Sequence, residues 1–308
     1  MWFRNARFFR FSKPFNTDPT RLEEALNEHV FKPCGPQDSF RQGWVSPLGR
    51  QGEQLVHSSN GYHLICLRKE ERVLPSSVVK EVVAERIELI ETEQGRKVGR
   101  KEQNELRDQV TLEMLPQAFT RSRHSFAYLA PADGLLVVDS GSSKQAEDIA
   151  SALRQALGSL PVRPPVVQQS PAFVMTGWIN GDLHPPTGLV AGQECELRDT
   201  GEEGGIIRCR GLELHCGEIR NHIESGMQVT RLALDWEENL SFLIDEELTI
   251  KRLKFGETLR DQLDDIDSDD KLAKFDGAFS LMTLEISRLV PVILEAFGGE
   301  DRSAIVEE

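Results

Sequence analysis

Arg96, Lys97, Arg100 and Lys101 place four cations within six residues, a density at which a short surface can neutralise several phosphates of a polyanion. Arg121 and Arg123 follow two residues apart, with Phe119 just upstream and Pro116 before it. Arg208 and Arg210 are also two apart, which on a strand puts both side chains on one face. Where such groups meet phosphates, they fix position without reading sequence. A charge run is ordinarily just a solvated face, so the elements that carry it decide what it can do. Core packing or a subunit contact is the usual role of a phenylalanine; beside two arginines, Phe119 also has the chemistry of a wedge that unstacks base pairs.

Other chemistries are less well served. Neither GxxxxGK[ST] nor GxGxxG occurs, so no glycine loop brings backbone N–H groups up to a nucleotide phosphate. No GxSxG elbow is present, and nothing in the spacing of Ser, His and Asp nominates a triad. The chain is therefore expected to bind and not to catalyse, and no cofactor is expected. Cys195, Cys209, His215, Cys216 and His222 have the ligand types zinc prefers. Their spacing is not that of a zinc finger, and buried thiols are common on strands, so no metal is expected. Asp265, Asp267 and Asp269 resemble the first half of a calcium loop, but position six is Asp270 where that loop needs glycine, and the twelfth residue is Asp276 and not Glu. These acids read better as solvated groups whose last members cap a helix starting near Lys271.

The elements that must position the cations follow from periodicity. Val79, Val82, Val83, Ile87 and Ile90 keep helical spacing after Pro75 and Ser77, which predicts a buried face. From Glu91 to Glu105 the only apolar residue is Val98, with Gly95 and Gly99 available to turn the chain, and the period resumes at Leu106, Val110 and Met114. Apolar roots under a polar tip predict a protruding helical hairpin ended by Pro116. Before it, an aromatic-rich strand, a helix over about 19–30, a mostly looped stretch over 33–61 and a strand over 62–67 after the Asn60-Gly61 turn make a β-rich region, 1–75. The hairpin occupies 76–124. An α+β region over 125–255 has strands 125–129 and 135–139, a helix over 143–157, a proline-marked crossing at Pro161, Pro164 and Pro165, strands around the Gly201 to Gly205 turn, a short helix near 218–224, and strands over 229–236, 240–244 and 248–255. An acidic helical region, 256–308, closes the chain with helices over about 256–264 and 271–297. The class is α+β with mixed antiparallel sheets, without the βαβ alternation of a doubly wound fold.

Composition agrees with a binding protein of roughly two domains or one elaborate one: 308 residues, 39% hydrophobic. No uninterrupted apolar run approaches the roughly 20 residues of a membrane span, and Met1 to Phe15 interleaves four cations with aromatic residues, unlike a secretory signal. Five cysteines, odd in number and without CxxC spacing, suit a reducing cytoplasm. The net charge of -14 is at first sight wrong for nucleic acid. Yet Glu257 to Glu308 holds 14 acidic and 5 basic residues, while Gln94 to Arg123 holds 7 basic and 4 acidic ones and Met1 to Asn16 carries +4. The acids are concentrated away from the cations.

Several stretches also resemble one family, the recombination-associated RdgC proteins of proteobacteria. The resemblance runs through Pro33-Cys34-Gly35, Gly43-Trp44-Val45, Arg68-Lys69-Glu70-Glu71, Leu74-Pro75-Ser76, Leu115-Pro116 with Ala118-Phe119, Gly158-Ser159-Leu160-Pro161, Asn221-His222-Ile223-Glu224, Leu232-Ala233-Leu234-Asp235-Trp236, Leu253-Lys254-Phe255 and Leu281-Met282-Thr283. It implies a ring-forming homodimer whose basic hole admits duplex DNA without sequence preference, association with the nucleoid, and restraint of RecA-driven strand exchange. By the same resemblance Arg96 and Lys97 match basic positions on projecting helices, and Phe119 an aromatic beside a subunit contact. Gly211 and Leu212 stand where the family can have polar or basic residues, which implies weaker contact after Arg210. The alternative for the same cations is a protein interaction module that docks on an acidic recombination partner, with incidental DNA contact.

Overall fold

The computed structural model describes residues 1–15, 18–201, 204–262 and 270–303. In chain order the first half gives β1 (Arg7–Phe11), α1 (Pro19–Asn27), β2 (Phe40–Val45), β3 (Val56–Ser59), β4 (Tyr62–Val73), α2 (Ser76–Gln94), α3 (Arg100–Met114), β5 (Phe119–Ala130), β6 (Leu135–Val138) and α4 (Ser143–Leu157). The second half gives β7 (Val162–Arg163), α5 (Pro171–Asn180), β8 (Leu189–Asp199), β9 (Ile206–Arg210), α6 (Gly217–Glu224), β10 (Met227–Trp236), β11 (Leu240–Asp245), β12 (Ile250–Phe255), α7 (Glu257–Asp261) and α8 (Lys271–Ala296). The class is α+β with antiparallel sheets.

The first sheet has the order β2-β4-β5-β6-β1-β7, with β3 also paired to β4. Its strands alternate between two cores. Phe8, Leu64, Tyr128, Leu135 and Val137 enter one, while Phe9, Phe11, Ile65, Leu129, Leu136 and Val138 enter the other with Leu22 and Leu26 of α1 and Ile149 and Leu153 of α4. Since successive side chains point to opposite faces, burial on both faces explains the uninterrupted apolar run Leu135 to Val138. The first of these cores is shared with the second sheet, β12-β11-β10-β8-β9, through Phe279, Met282, Ile286, Leu289 and Ile293 of α8.

Local rules set the ends of several elements. Asn60 and Gly61 both take positive φ, 51° and 82°, in the turn that joins β3 to β4, as a tight hairpin of this twist requires. Asp270 caps α8, accepting from the backbone N–H groups of Leu272 and Ala273, each at 2.9 Å; Asp265, Asp267 and Asp269 lie outside the described residues. α8 is long and apolar enough to cross a bilayer, a property hidden from a search for unbroken apolar runs. Phe279, Met282, Ile286, Leu289, Val290, Ile293 and Leu294 are instead buried in the shared core, while Leu272 and Leu284 are exposed.

Five expectations change. The helix expected over 19–30 ends at Asn27. The stretch 33–61, expected to be mostly loop, contains β2 and β3, and the strand expected over 62–67 continues to Val73. The crossing after Pro165 contains α5, which starts with Pro171 at its first position, where a missing N–H costs nothing. The apolar face of α2 is only partly covered: Val79 is buried, but Val82, Val83, Ile87 and Ile90 are half-buried and Leu89 is 59% exposed. The helix packs mainly on α3, with Arg86 and Glu113 paired between them, and one neighbour cannot bury a whole stripe.

Candidate nucleic-acid interface

The side chains that could meet a polyanion fall into three groups, and among the described residues no hydrogen bond or ion pair joins one group to another.

The first group stands on the turn between α2 and α3. Gly95, in the left-handed conformation with φ 61°, closes α2, and Val98 is buried beneath the turn. Arg96 makes a two-pronged ion pair with Glu102, both contacts at 2.7 Å, and also donates to Gln94. This hydrogen-bonded pairing holds the Glu102 carboxyl below its usual range. Lys101 lies 4.0 Å from Glu105. Lys97 and Arg100 are exposed and have no carboxylate partner among the described residues. Of the four cations of this cluster, these two are thus the ones ready to exchange water for phosphate.

The second group lies on β5. From Phe119 to Ser125 this strand pairs with β4 on one side, while β6 pairs only with Ala127 to Ala130 on the other. Phe119 is 87% exposed, so it is not a core residue. It follows a turn pinned by Arg72, which donates to the carbonyls of Pro116, Ala118 and Gly35 at 3.1, 3.0 and 3.1 Å. Arg121 pairs with Glu71, its cross-strand partner. Arg123 stands opposite Lys69 and is exposed.

The third group is the most built, and sequence spacing discloses only part of it. Glu196 on β8 is flanked in register by Arg208 on β9 and Arg231 on β10. It accepts from Arg208 at 2.8 Å and from Arg231 at 3.3 Å, with Arg198 at 3.9 Å, and its side chain is only 5% exposed. Glu194, two residues earlier on the same face, accepts from Arg210 at 3.1 Å and from Arg252. The hydrogen bond from Arg252, helped by the charge of Arg210, holds the Glu194 carboxyl below its usual range against the opposing effect of burial. Glu194, Glu196, Arg208, Arg210, Arg231 and Arg252 line, with Asn5 and Lys251, a cavity of about 400 Å3, and Arg198 lies beside it. Lys251 pairs with Asp245 at 2.7 Å. Six cations against three carboxylates leave the basin positive.

Arg252 reaches this basin through strained backbone. Its φ is 52°, a region β-carbon-bearing residues avoid, and it lies where the β11–β12 register shifts between Ser241 and Leu243. A bulge of this kind turns a side chain that would follow the pleat; here it brings the guanidinium to Glu194. Backbone strain of about 1–3 kcal/mol is tolerated where surrounding structure enforces it.

The structure therefore brings Arg208 and Arg210 together and adds Arg198, Arg231, Lys251 and Arg252. The tip cations and the β5 arginines remain on separate elements. The five candidate zinc ligands do not converge: Cys195 and Cys209 are register partners, whereas His215 Nδ1 lies 3.2 Å from the carbonyl of Ile179. Among the described residues no three His, Cys, Asp or Glu side chains are arranged to hold a metal ion. Burial pushes the thiols of Cys66 and Cys195 up to about 12. Since the thiolate is the nucleophile, neither is expected to be alkylated by iodoacetamide at pH 8 in the native protein, and both are expected to be alkylated in guanidinium. Peptide mass spectrometry that found either modified in the native state would contradict the packing described.

The family described as "Putative exonuclease, RdgC" matches residues 1–300 of this chain. The chain is 46% identical over 304 residues to the Recombination-associated protein RdgC of Aeromonas hydrophila, covering 98% of this chain and 100% of that protein. It is 45% identical over 300 residues to the protein of the same name from Tolumonas auensis, covering 97% and 99%.

Proposed function

Because the chain belongs to the RdgC family, we propose that it is a sequence-independent binder of duplex DNA that acts as a ring-closed homodimer around its ligand. The observation that carries this reading is the basin over Glu194 and Glu196. The buried Glu196 and half-buried Glu194 fan several guanidinium groups across one open sheet face, and guanidinium forks match phosphate oxygens. The helix pair α2–α3 adds a projecting hairpin whose Lys97 and Arg100 are ready for phosphate. The half of β5 from Phe119 to Ser125, paired to β4 alone, carries the exposed Phe119 and supplies a face for a second copy or a wedge for the duplex. By occupying duplex the dimer would obstruct recombinase filaments and so restrain RecA-mediated recombination in the cytoplasm, in association with the nucleoid. The names of the relatives place them in recombination, which fits that role. We read the chain as a binder without hydrolytic activity; the family's description as an exonuclease sets the opposing reading, and end-labelled duplex incubated with magnesium and the protein is expected to remain intact.

The deciding experiment is duplex affinity over a salt series, with the mass of the protein measured in parallel. Four tip cations per protomer, about eight in a dimer, correspond to a slope of log K on log salt approaching roughly -7 if all meet phosphates. Because Arg96 and Lys101 share their charge with glutamates, the basin must supply part of any slope that steep. A steep negative slope with a stable dimer is the expected result. A flat slope would remove the electrostatic grip, and tight recombinase binding without DNA would favour the protein interaction module.

A further inference from the structure

Two unfavourable charge placements meet at one cavity on the other side of the molecule's first sheet from the shared core. Lys69 and Arg123 stand directly opposite each other on β4 and β5, and like charges so placed repel. Lys144 lies in the first turn of α4, which contains no acid and whose Ser142 cap makes no side-chain hydrogen bond. A cation there opposes the positive end of the helix. All three side chains line a cavity of about 230 Å3, with Gln42, Ser125 and Ser142 among its other walls.

The carboxylates in the same cavity offset the conflict only in part: besides its hydrogen bond from Arg121, Glu71 feels the charges of Arg123 and Lys69. Glu71 is taken up by Arg121, and Asp148 lies 3.9 Å from Lys69. Arg123 and Lys144 have no ion-pair partner among the described residues. Among the lining residues three cations face two acids. A fold whose local choices otherwise agree departs from them at sites that serve a ligand.

We propose that this cavity seats a single phosphoryl group, held by Lys69, Arg123 and Lys144 with the Ser142 hydroxyl as a further donor. One such anion would separate the Lys69–Arg123 pair and reverse the penalty at the start of α4. The space holds a phosphate with its waters, and no aromatic side chain lines it to stack a base. The proposal depends on the DNA reading only for the source of the phosphate: a nucleic-acid backbone, a nucleic-acid end, or free phosphate.

Inorganic phosphate titrated into the full-length protein at constant ionic strength, with chloride as the control anion, provides the test. Saturable shifts of the Ser143, Lys144 and Gln145 amide resonances are expected, with a dissociation constant on the order of 1 mM, weakened roughly tenfold in Lys144→Met. Lys144 is exposed, so that variant is expected to fold, and phosphate bound in the Glu194–Glu196 basin would not move these amides. No saturable shift in the native protein, or an equal one in Lys144→Met, overturns the proposal. Blunt duplex with 5′-phosphate or 5′-hydroxyl ends then identifies the source: Lys144→Met that loses a preference for the phosphorylated end assigns the cavity to a terminus, and equal weakening on both assigns it to the backbone. A flat salt slope for duplex would sink the DNA reading while leaving the phosphate titration to stand or fall by itself.

Discussion

Replacing Arg208, Arg231 and Arg252 together by glutamine is expected to lower duplex affinity at low salt on the order of 100-fold and to flatten its salt dependence. Each lost phosphate contact removes about 0.9 from the slope of log K on log salt. The change is therefore about 3 if one basin of a dimer meets the duplex and about 5 if both do. Glutamine is the right replacement because Glu196 is 5% exposed and needs a donor; a side chain without one would leave a buried carboxylate unpaired. The triple variant is expected to keep the mass and the fold of the native protein. Reversing Arg96, Lys97, Arg100 and Lys101 to glutamate is the companion experiment. If that variant alone loses binding while the basin variant keeps the native slope, the grip lies on the hairpin and the basin is a structural ion-pair network.

The contrast between these two groups shows what the sequence makes legible. Four cations within six residues announce themselves, because a turn keeps sequence neighbours together. The basin does not, because its members lie on β8, β9, β10 and β12, and only the order β12-β11-β10-β8-β9 brings them side by side. Arg208 and Arg210 could be read as sharing a face, but nothing local shows that Glu196 lies between Arg208 and Arg231 or that a bulge turns Arg252 toward Glu194. Elements follow the same division. α4, Ser143–Leu157, has the bounds its periodicity predicts, since one face of it alone is buried. α5 escapes notice because Ala172, Val174, Met175, Trp178 and Ile179 are all buried, which erases the period. β2 escapes because Phe40, Arg41 and Gln42 are exposed while Gly43 and Trp44 are buried, so its short run shows no alternation.

Phe279→Ala is expected to destabilise the whole chain by about 3–5 kcal/mol, and to do so in one step. Phe279 is fully buried on α8 and meets two rings of the first sheet edge-on: His57 at 5.7 Å and Tyr128 at 6.1 Å between centroids. One and two turns further, Met282 and Ile286 belong to the same core as Leu234, Trp236, Phe242 and Ile244 of the second sheet. Polar contacts hold the helix to the first sheet as well: His57 Nε2 with Asp276 at 3.0 Å and Ser287 donating to Asp133 at 2.8 Å. A cavity at Phe279 thus loosens the helix from one sheet while the other still depends on it. Out of a typical stability of about 5–15 kcal/mol, such a loss lowers the thermal midpoint by about 10 °C. Trp44 lies in the outer core of the first sheet and Trp236 in the shared core, so fluorescence and far-ultraviolet circular dichroism sample both parts. Coincident transitions are expected, as for one cooperative unit. Two separated transitions would instead mean that the sheets unfold independently and that α8 does not couple them. Well below the midpoint the variant is expected to keep the native salt slope for duplex, because α8 supplies none of the basin's side chains.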